Sequence, residues 1–127
     1  MEFTEILTIL SDDETQSAEL DAAAPAKVVA IDLVLYGEID EPWKKGEPIG
    51  KAEGTATVTN GGRFAVCNIV FTFDDEDTIV THGVLPIDGS KLGKGHLAVT
   101  GGTGHFDKAA GRVDMDARNP KRWIFTL

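Results

Sequence analysis

Three histidines, one cysteine and a few polar groups set inside apolar runs are the residues of this 127-residue chain that could do chemistry. His82, His96 and His105 share no spacing that would bring them to one ion, so no metal site is predicted. Cys67 has no basic neighbour in sequence and reads as a small buried hydrophobe rather than a nucleophile. Asp74-Asp75-Glu76-Asp77 lacks the glycine and distal glutamate of an EF-hand loop and reads as a solvated hairpin tip. The cluster Gly101-Gly102-Thr103-Gly104 invites comparison with phosphate-cradling loops. Neither the dinucleotide fingerprint nor the P-loop spacing is met, and the residues after Gly111 alternate like a strand where both motifs need a helix. The remaining candidates are polar groups in apolar surroundings. A carboxylate such as Asp32 is costly within an apolar run unless it is paired, and such groups are common at sites. Asn68 needs a partner or a ligand for the same reason. His82 could act as a proton donor, although a satisfied rim or core histidine is the commoner case. This set suits help to a reacting carbonyl rather than nucleophilic attack. Asp32 and His82 would polarise or protonate; Asn68 and Tyr36 would orient the carbonyl by hydrogen bonding.

The elements that must position these groups are strands. Residues 28–36 give the clearest one, with Val29, Ile31, Leu33 and Leu35 alternating with Val28, Ala30, Asp32, Val34 and Tyr36. Both faces are largely apolar, so both are expected to be covered. Residues 49–59 and 63–73 form a pair joined by Asn60-Gly61-Gly62, a strong hairpin signal. Further strands are read at 78–87, in the run ending at Gly101, over 112–118 and from Lys121 to Leu127. Residues 37–48, with two prolines and mixed charge, read as an irregular loop. Residues 1–10 fit either a strand or a turn of helix across a barrel mouth. Residues 11–26 read as an acidic linker, with a lid over a cavity as the functional alternative. The division expected is therefore 1–27 as an N-terminal strand or lid with its linker, and 28–127 as the barrel. About eight strands joined by short turns favour an all-β, antiparallel, eight-stranded barrel of lipocalin-like kind.

Composition bounds the partners. A net charge of −9 argues against nucleic acid and anionic membranes. A single cysteine rules out an internal disulfide. No stretch approaches a membrane span, and no Lys or Arg precedes Lys27, so a cytoplasmic location is the simplest expectation. The two-sided apolar strand at 28–36 predicts a homodimer or homotrimer.

The stretch Leu97-Ala98-Val99-Thr100-Gly101-Gly102-Thr103-Gly104, with Phe106, Ala109 and Gly111, resembles the signature of the allene oxide cyclase family. The related dirigent proteins carry a similar Gly-Gly-Thr-Gly-x-Phe stretch. Ile49-Gly50 with Gly54, then Gly61-Gly62-Arg63-Phe64, Phe71-Thr72-Phe73-Asp74 and His82-Gly83, follow in the family's order, so the similarity spans roughly residues 28–127. It implies the same barrel, with an apolar lumen that folds a reactive, unsaturated small molecule for intramolecular cyclisation. Orientation and exclusion of water would carry the rate. The family's Tyr-Glu-Leu-Asn-Glu stretch falls on Leu35-Tyr36-Gly37-Glu38, where only the last Glu matches, so its catalytic Glu–Asn pair is not reproduced by identity. The expectation is a cyclase or isomerase of secondary metabolism, acting without a cofactor on an apolar guest, with a [4+2] closure as one form. Trp43, Trp123, Cys67, Phe71 and Met115 would wall the lumen. A non-catalytic, dirigent-like binding barrel is the alternative.

Overall fold

The computed structural model describes residues 6–11, 27–38, 44–59, 61–88, 91–116 and 121–127. Among these residues nine strands run β1 (Ile6–Ser11), β2 (Val28–Glu38), β3 (Lys45–Val58), β4 (Phe64–Phe73), β5 (Thr78–Asp88), β6 (Lys91–Leu92), β7 (Gly95–Thr103), β8 (Gly111–Asp116) and β9 (Lys121–Thr126). Every pairing is antiparallel. The order β4-β3-β2-β1-β9-β8-β7-β5 is closed by β4 pairing with β5. The result is an eight-stranded barrel, with the two-residue β6 folded back on the end of β5. Closure leaves none of the eight long strands as an edge. Among the described residues the one helical element is a single 3-10 turn, Gly104–Phe106, and no helix is long and apolar enough to cross a membrane.

The pleat explains the alternation. In β2, Val29, Ile31, Leu33 and Leu35 point inward and are buried, while Val28, Ala30 and Asp32 point outward and are exposed. The expectation of cover on both faces therefore holds only for the inner one within a single chain. The N-terminal run resolves as a strand rather than a turn of helix. Residues Ile6–Ser11 enter the barrel wall between β2 and β9. β3 begins at Lys45, earlier than the sequence suggests. Glu38 pairs with Lys45 and Tyr36 with Pro48 across two register shifts, which let the proline sit in the sheet without a ladder donor.

The waist of the barrel is solid. Phe71 meets Trp123 edge-on at 5.2 Å and Phe125 at 4.9 Å between ring centroids. The Trp123 indole N–H donates to Ser11 Oγ at 2.8 Å, which satisfies both buried polar groups. Ile9, Ile69, Ile79, Leu97, Val113 and Met115 fill the space between. Eight strands enclose a tube that their own side chains can just fill.

Candidate functional site

An antiparallel meander returns alternate connections to the same end of the barrel. The β4–β5 hairpin and the β7–β8 connection therefore meet at one mouth, beside the start of β1 and the Ile49 region of β3. Between them lies a cleft of about 360 Å³ lined by Leu7, Ile49, Phe73, Asp74, Asp75, Asp77, His105 and Phe106. Its apolar surface comes from strand ends and its polar rim from turns, the usual composition of a small-molecule site.

Local chemistry builds each wall. In the hairpin, the Phe73 N–H donates to the Asp77 carbonyl at 2.9 Å and the Glu76 N–H to the Phe73 carbonyl at 2.8 Å. The Asp75 carboxylate accepts from the Asp77 N–H at 3.2 Å, an Asx turn. Glu76 takes φ of 69°, a left-handed conformation that costs a residue with a Cβ roughly 1–2 kcal/mol. The Asp74 N–H donates to the Ile49 carbonyl at 2.9 Å, which ties the hairpin to β3. Opposite, the glycine cluster makes a close turn. A Cβ on Gly102 would collide with the carbonyls of Thr78 and Phe106, and one on Gly104, at φ 64°, with the Asp77 carboxylate. The Thr78 and Thr103 hydroxyls share a hydrogen bond at 2.8 Å. These contacts seat the 3-10 turn against the hairpin. Phe106 then packs on Phe73 at 5.5 Å between centroids, and His105 stands edge-on to Phe106 at 4.9 Å. The Gly-Gly-Thr-Gly-x-Phe signature is thus the device that presses one turn onto the other and delivers Phe106 and His105 to the cleft. On its far side His105 and Phe106 also line a second cleft with Asp107, Lys108, Ala109, Ala110 and Leu127.

The groups expected to act from within the barrel are placed otherwise. Asp32, Asn68 and His82 are exposed on the outer wall, opposite in parity to the buried residues of their strands. The structure does bring two of them together. Asn68 and His82 are direct cross-strand partners, and the Asn68 side-chain oxygen hydrogen-bonds the His82 ring. Asn68 therefore has its partner, but on the outside. Asp32 faces Glu53 across β2 and β3, with Asn68 further round the same outer wall. Tyr36 also lies on the outer side of β2, with the Lys45 ammonium 4.6 Å from its ring centroid. These four are corrected from lumen groups to outer-wall groups, because each falls on the even-numbered side of a two-residue repeat whose buried members are odd-numbered.

Trp123, Cys67 and Phe71 have no accessible surface, and Met115 has 1%. A side chain without accessible surface borders no void the size of a water molecule. They do point inward, as expected, and fill the waist; Met115 also borders a separate cleft of about 290 Å³ with Lys94, Gly95, His96, Asp114, Asp116 and Ile124. Burial pushes the Cys67 thiol up to about 11, so it stays protonated and inert at neutral pH. Trp43 lies outside the described residues, and so does the linker or lid expected at 11–26, except for Ser11, which ends β1.

Sequence reasoning missed the mouth. In the sequence Asp77 reads as part of a hairpin tip, Phe73 as the end of a strand, and His105 and Phe106 as neighbours of the glycine cluster. The signal was available in the count of strands: the acidic turn and the glycine turn are separated by an even number of long strands, which puts them at one end.

Solved structures with the same architecture include pyocyanin demethylase, with a TM-score of 0.68 at 20% identity over 97% of this chain and 98% of that one. The pterocarpan synthase dirigent protein GePTS1 superposes with a TM-score of 0.67 at 21% identity, over 99% of this chain and 86% of the other. The corresponding protein PsPTS1 gives 0.66 at 18%, over 98% and 93%. The chain has the dirigent-like barrel fold. No family model matches the sequence, and no curated protein matches it either. At these identities the dirigent-like likeness is one of fold, with the mouth, the solid waist and the outer wall left to be read from this chain's own residues.

Proposed function

We propose that this dirigent-like barrel binds an apolar, ring-bearing or polyunsaturated small molecule at its acidic mouth and holds it in the conformation from which it reacts with itself. The observation that carries this reading is the mouth cleft, whose apolar Leu7, Ile49, Phe73 and Phe106 are rimmed by Asp74, Asp75, Asp77 and His105. Its volume of about 360 Å³ lies in the range of small-ligand sites. The neighbours support the reading in kind. One is named for demethylating pyocyanin and two for making pterocarpans, all small molecules.

The step proposed is an intramolecular cyclisation of an unsaturated intermediate in secondary metabolism. In a [4+2] closure two π bonds become two σ bonds, so no leaving group departs and no electrons are exchanged. The barrel would contribute a fixed near-attack conformation and a dry face, which together can supply several kcal/mol. The rim carboxylates and His105 would place a hydrogen-bond donor or a developing positive charge of the guest. The alternative is orientation without catalysis, as a dirigent-type module.

Incubation with conjugated polyenes and with pyocyanin tests both. Protein-dependent formation of a cyclised product above the spontaneous background supports the cyclase. Altered product geometry at an unchanged rate supports the binding module. Absence of saturable binding to either class, measured by calorimetry, removes the reading.

A further inference from the structure

We infer that the cleft where β7, β8 and β9 meet, at the end of the barrel away from the mouth, is a second small-molecule site built for a compact zwitterion, an α-amino acid with an apolar side chain. The cleft has a volume of about 290 Å³, and its walls include Lys94, His96, Asp114, Asp116, Met115 and Ile124. It is remote from the mouth. β7 runs from Gly95 at this cleft to Thr103, whose hydroxyl meets that of Thr78 beside the mouth. Eight residues of strand at about 3.4 Å each put roughly 27 Å between the two ends. The inference therefore stands apart from the reading of the mouth.

The register sorts the charges. His96 on β7 faces Asp114 on β8, and Gly95 faces Met115. One step further along the same register, Lys94 comes beside Asp116. Lys94 and His96 share the outer side of the sheet two residues apart, or about 6.8 Å, and so do Asp114 and Asp116. A row of two basic groups thus lies against a row of two carboxylates. Groups of opposite charge placed directly across a pair of strands attract one another. Yet among the described residues no ion pair joins these two rows. Asp114 is engaged from its own strand, where Arg112 Nε lies 3.2 Å from its Oδ2. Both of those side chains are exposed, so that contact is worth little. Arg122, the cross-strand partner of Asp116, commits two N–H groups to Glu38 at 2.7 and 2.9 Å. The two rows therefore stand apart across the cleft, and one dipolar ligand satisfies both. Its ammonium belongs at Asp114 and Asp116, its carboxylate at Lys94 and His96. Ile124, opposite Asp114 on β9, and the adaptable thioether of Met115 supply apolar surface for its side chain. A ligand with a single charge satisfies one row and leaves the other unmet. A metal ion does not fit, because no three ligating side chains converge among the described residues.

Backbone amide NMR titrations of the wild-type chain with leucine, isopentylamine and 4-methylpentanoate test this. The second probe is leucine without its carboxylate, and the third is leucine without its amine. Leucine is expected to shift the amides of residues 94–96 and 114–116 saturably, with a dissociation constant of roughly a millimolar. Each half-ligand should bind about 10-fold more weakly, the loss of one charge-assisted contact. Lys94→Gln should weaken leucine by about the same factor and leave isopentylamine unchanged, whereas Asp114→Asn should weaken both. Lys51→Gln removes the same charge from an exposed position on β3 and should alter neither. No saturable shift at these residues with leucine at tens of millimolar overturns the inference. So does isopentylamine binding as tightly as leucine, which leaves only an acidic patch, and so do shifts confined to Phe73, Asp77, His105 and Phe106 at the mouth. The half-ligand comparison uses the wild-type chain, so it decides the question even where a variant fails to fold.

Discussion

Asp77 and Phe106 divide the tasks at the mouth by their chemistry. Phe106 supplies apolar area between the hairpin and the 3-10 turn, tilted against Phe73 and edge-on to His105. Asp77 presents a carboxylate to the cleft while its backbone closes the hairpin. Phe106→Ala should therefore weaken guest binding about 10- to 100-fold, the loss expected for one aromatic contact of 1.5–3 kcal/mol. Asp77→Asn keeps the shape and removes the charge, so it should affect cationic or donor-bearing guests and leave neutral hydrocarbons unchanged. Calorimetric titration with a matched charged and uncharged pair separates the two effects. Cys67 makes a different residue-scale prediction. Its folded pKa of about 11 lies above the ordinary 9.0 because burial penalises the thiolate. A raised folded pKa means that the folded state holds the proton more tightly. The associated stability is complete below pH 9 and is lost as pH rises from 9 to 11. At 1.36 kcal/mol per pKa unit the loss approaches roughly 2–3 kcal/mol. Urea unfolding of wild type and Cys67→Ala across that range should show the wild type losing its margin over the variant. A thiol reagent at pH 8 should label the native chain only through unfolding.

At the scale of elements, the glycine turn and the β1 strap make opposite uses of the sheet. Gly104 sits at φ 64° with Asp77 against the place a Cβ would take, whereas nothing lies within 4 Å of a Cβ on Gly101. Gly104→Ala should lower the melting temperature by several degrees and displace Asp77 from the cleft; Gly101→Ala should do neither, which thermal unfolding can compare directly. On the far wall β1 meets β2 over only three residue pairs but β9 over six. Arg122 reinforces that weak seam by reaching Glu38 with two hydrogen bonds of 2.7 and 2.9 Å, and its own pKa is raised by the Glu38 carboxylate. The pair straps β9 to β2 across β1. Arg122→Lys keeps the charge but loses the planar fork, and about 1 kcal/mol of stability should go with it, as read by denaturant midpoint. Most of this architecture was legible in the sequence. Val29–Leu35, Ala65–Phe71 and Trp123–Leu127 announce strands by strict alternation, and Gly61-Gly62 announces a turn. Alternation alone does not say which face is the lumen, because both faces of β2 and β4 are apolar. Asp32, Asn68 and His82 therefore read as lumen groups in the sequence, whereas the pleat of their strands puts them outside. The mouth was legible only through strand parity, since Asp74–Asp77 looks like any acidic turn until Gly102 and Gly104 bring Phe106 against it.

The whole molecule is a closed ring of strands, and closure is what separates a solid waist from an open mouth. Every one of the eight long strands has two neighbours, so removing one strand costs two ladders and exposes two edges. β1 is the most informative strand to remove, because it contributes both to the waist and to the mouth. Ile9 packs in the core and Ser11 accepts the Trp123 indole proton, while Leu7 lines the cleft. A chain lacking residues 1–11 would leave β2 and β9 each with one open edge and the Trp123 N–H buried without an acceptor, a loss that takes a large share of the roughly 5–15 kcal/mol that holds a domain of this size together. Such a chain should show broadened thermal unfolding and aggregate through its open edges, both visible by calorimetry and light scattering. Ser11→Ala, which removes only the acceptor, should destabilise by about 1–3 kcal/mol while the chain remains monodisperse. If the truncated chain instead unfolds as sharply as the full one, β1 is an accessory to the wall rather than part of its closure, and Leu7 belongs to a detachable cover on the mouth.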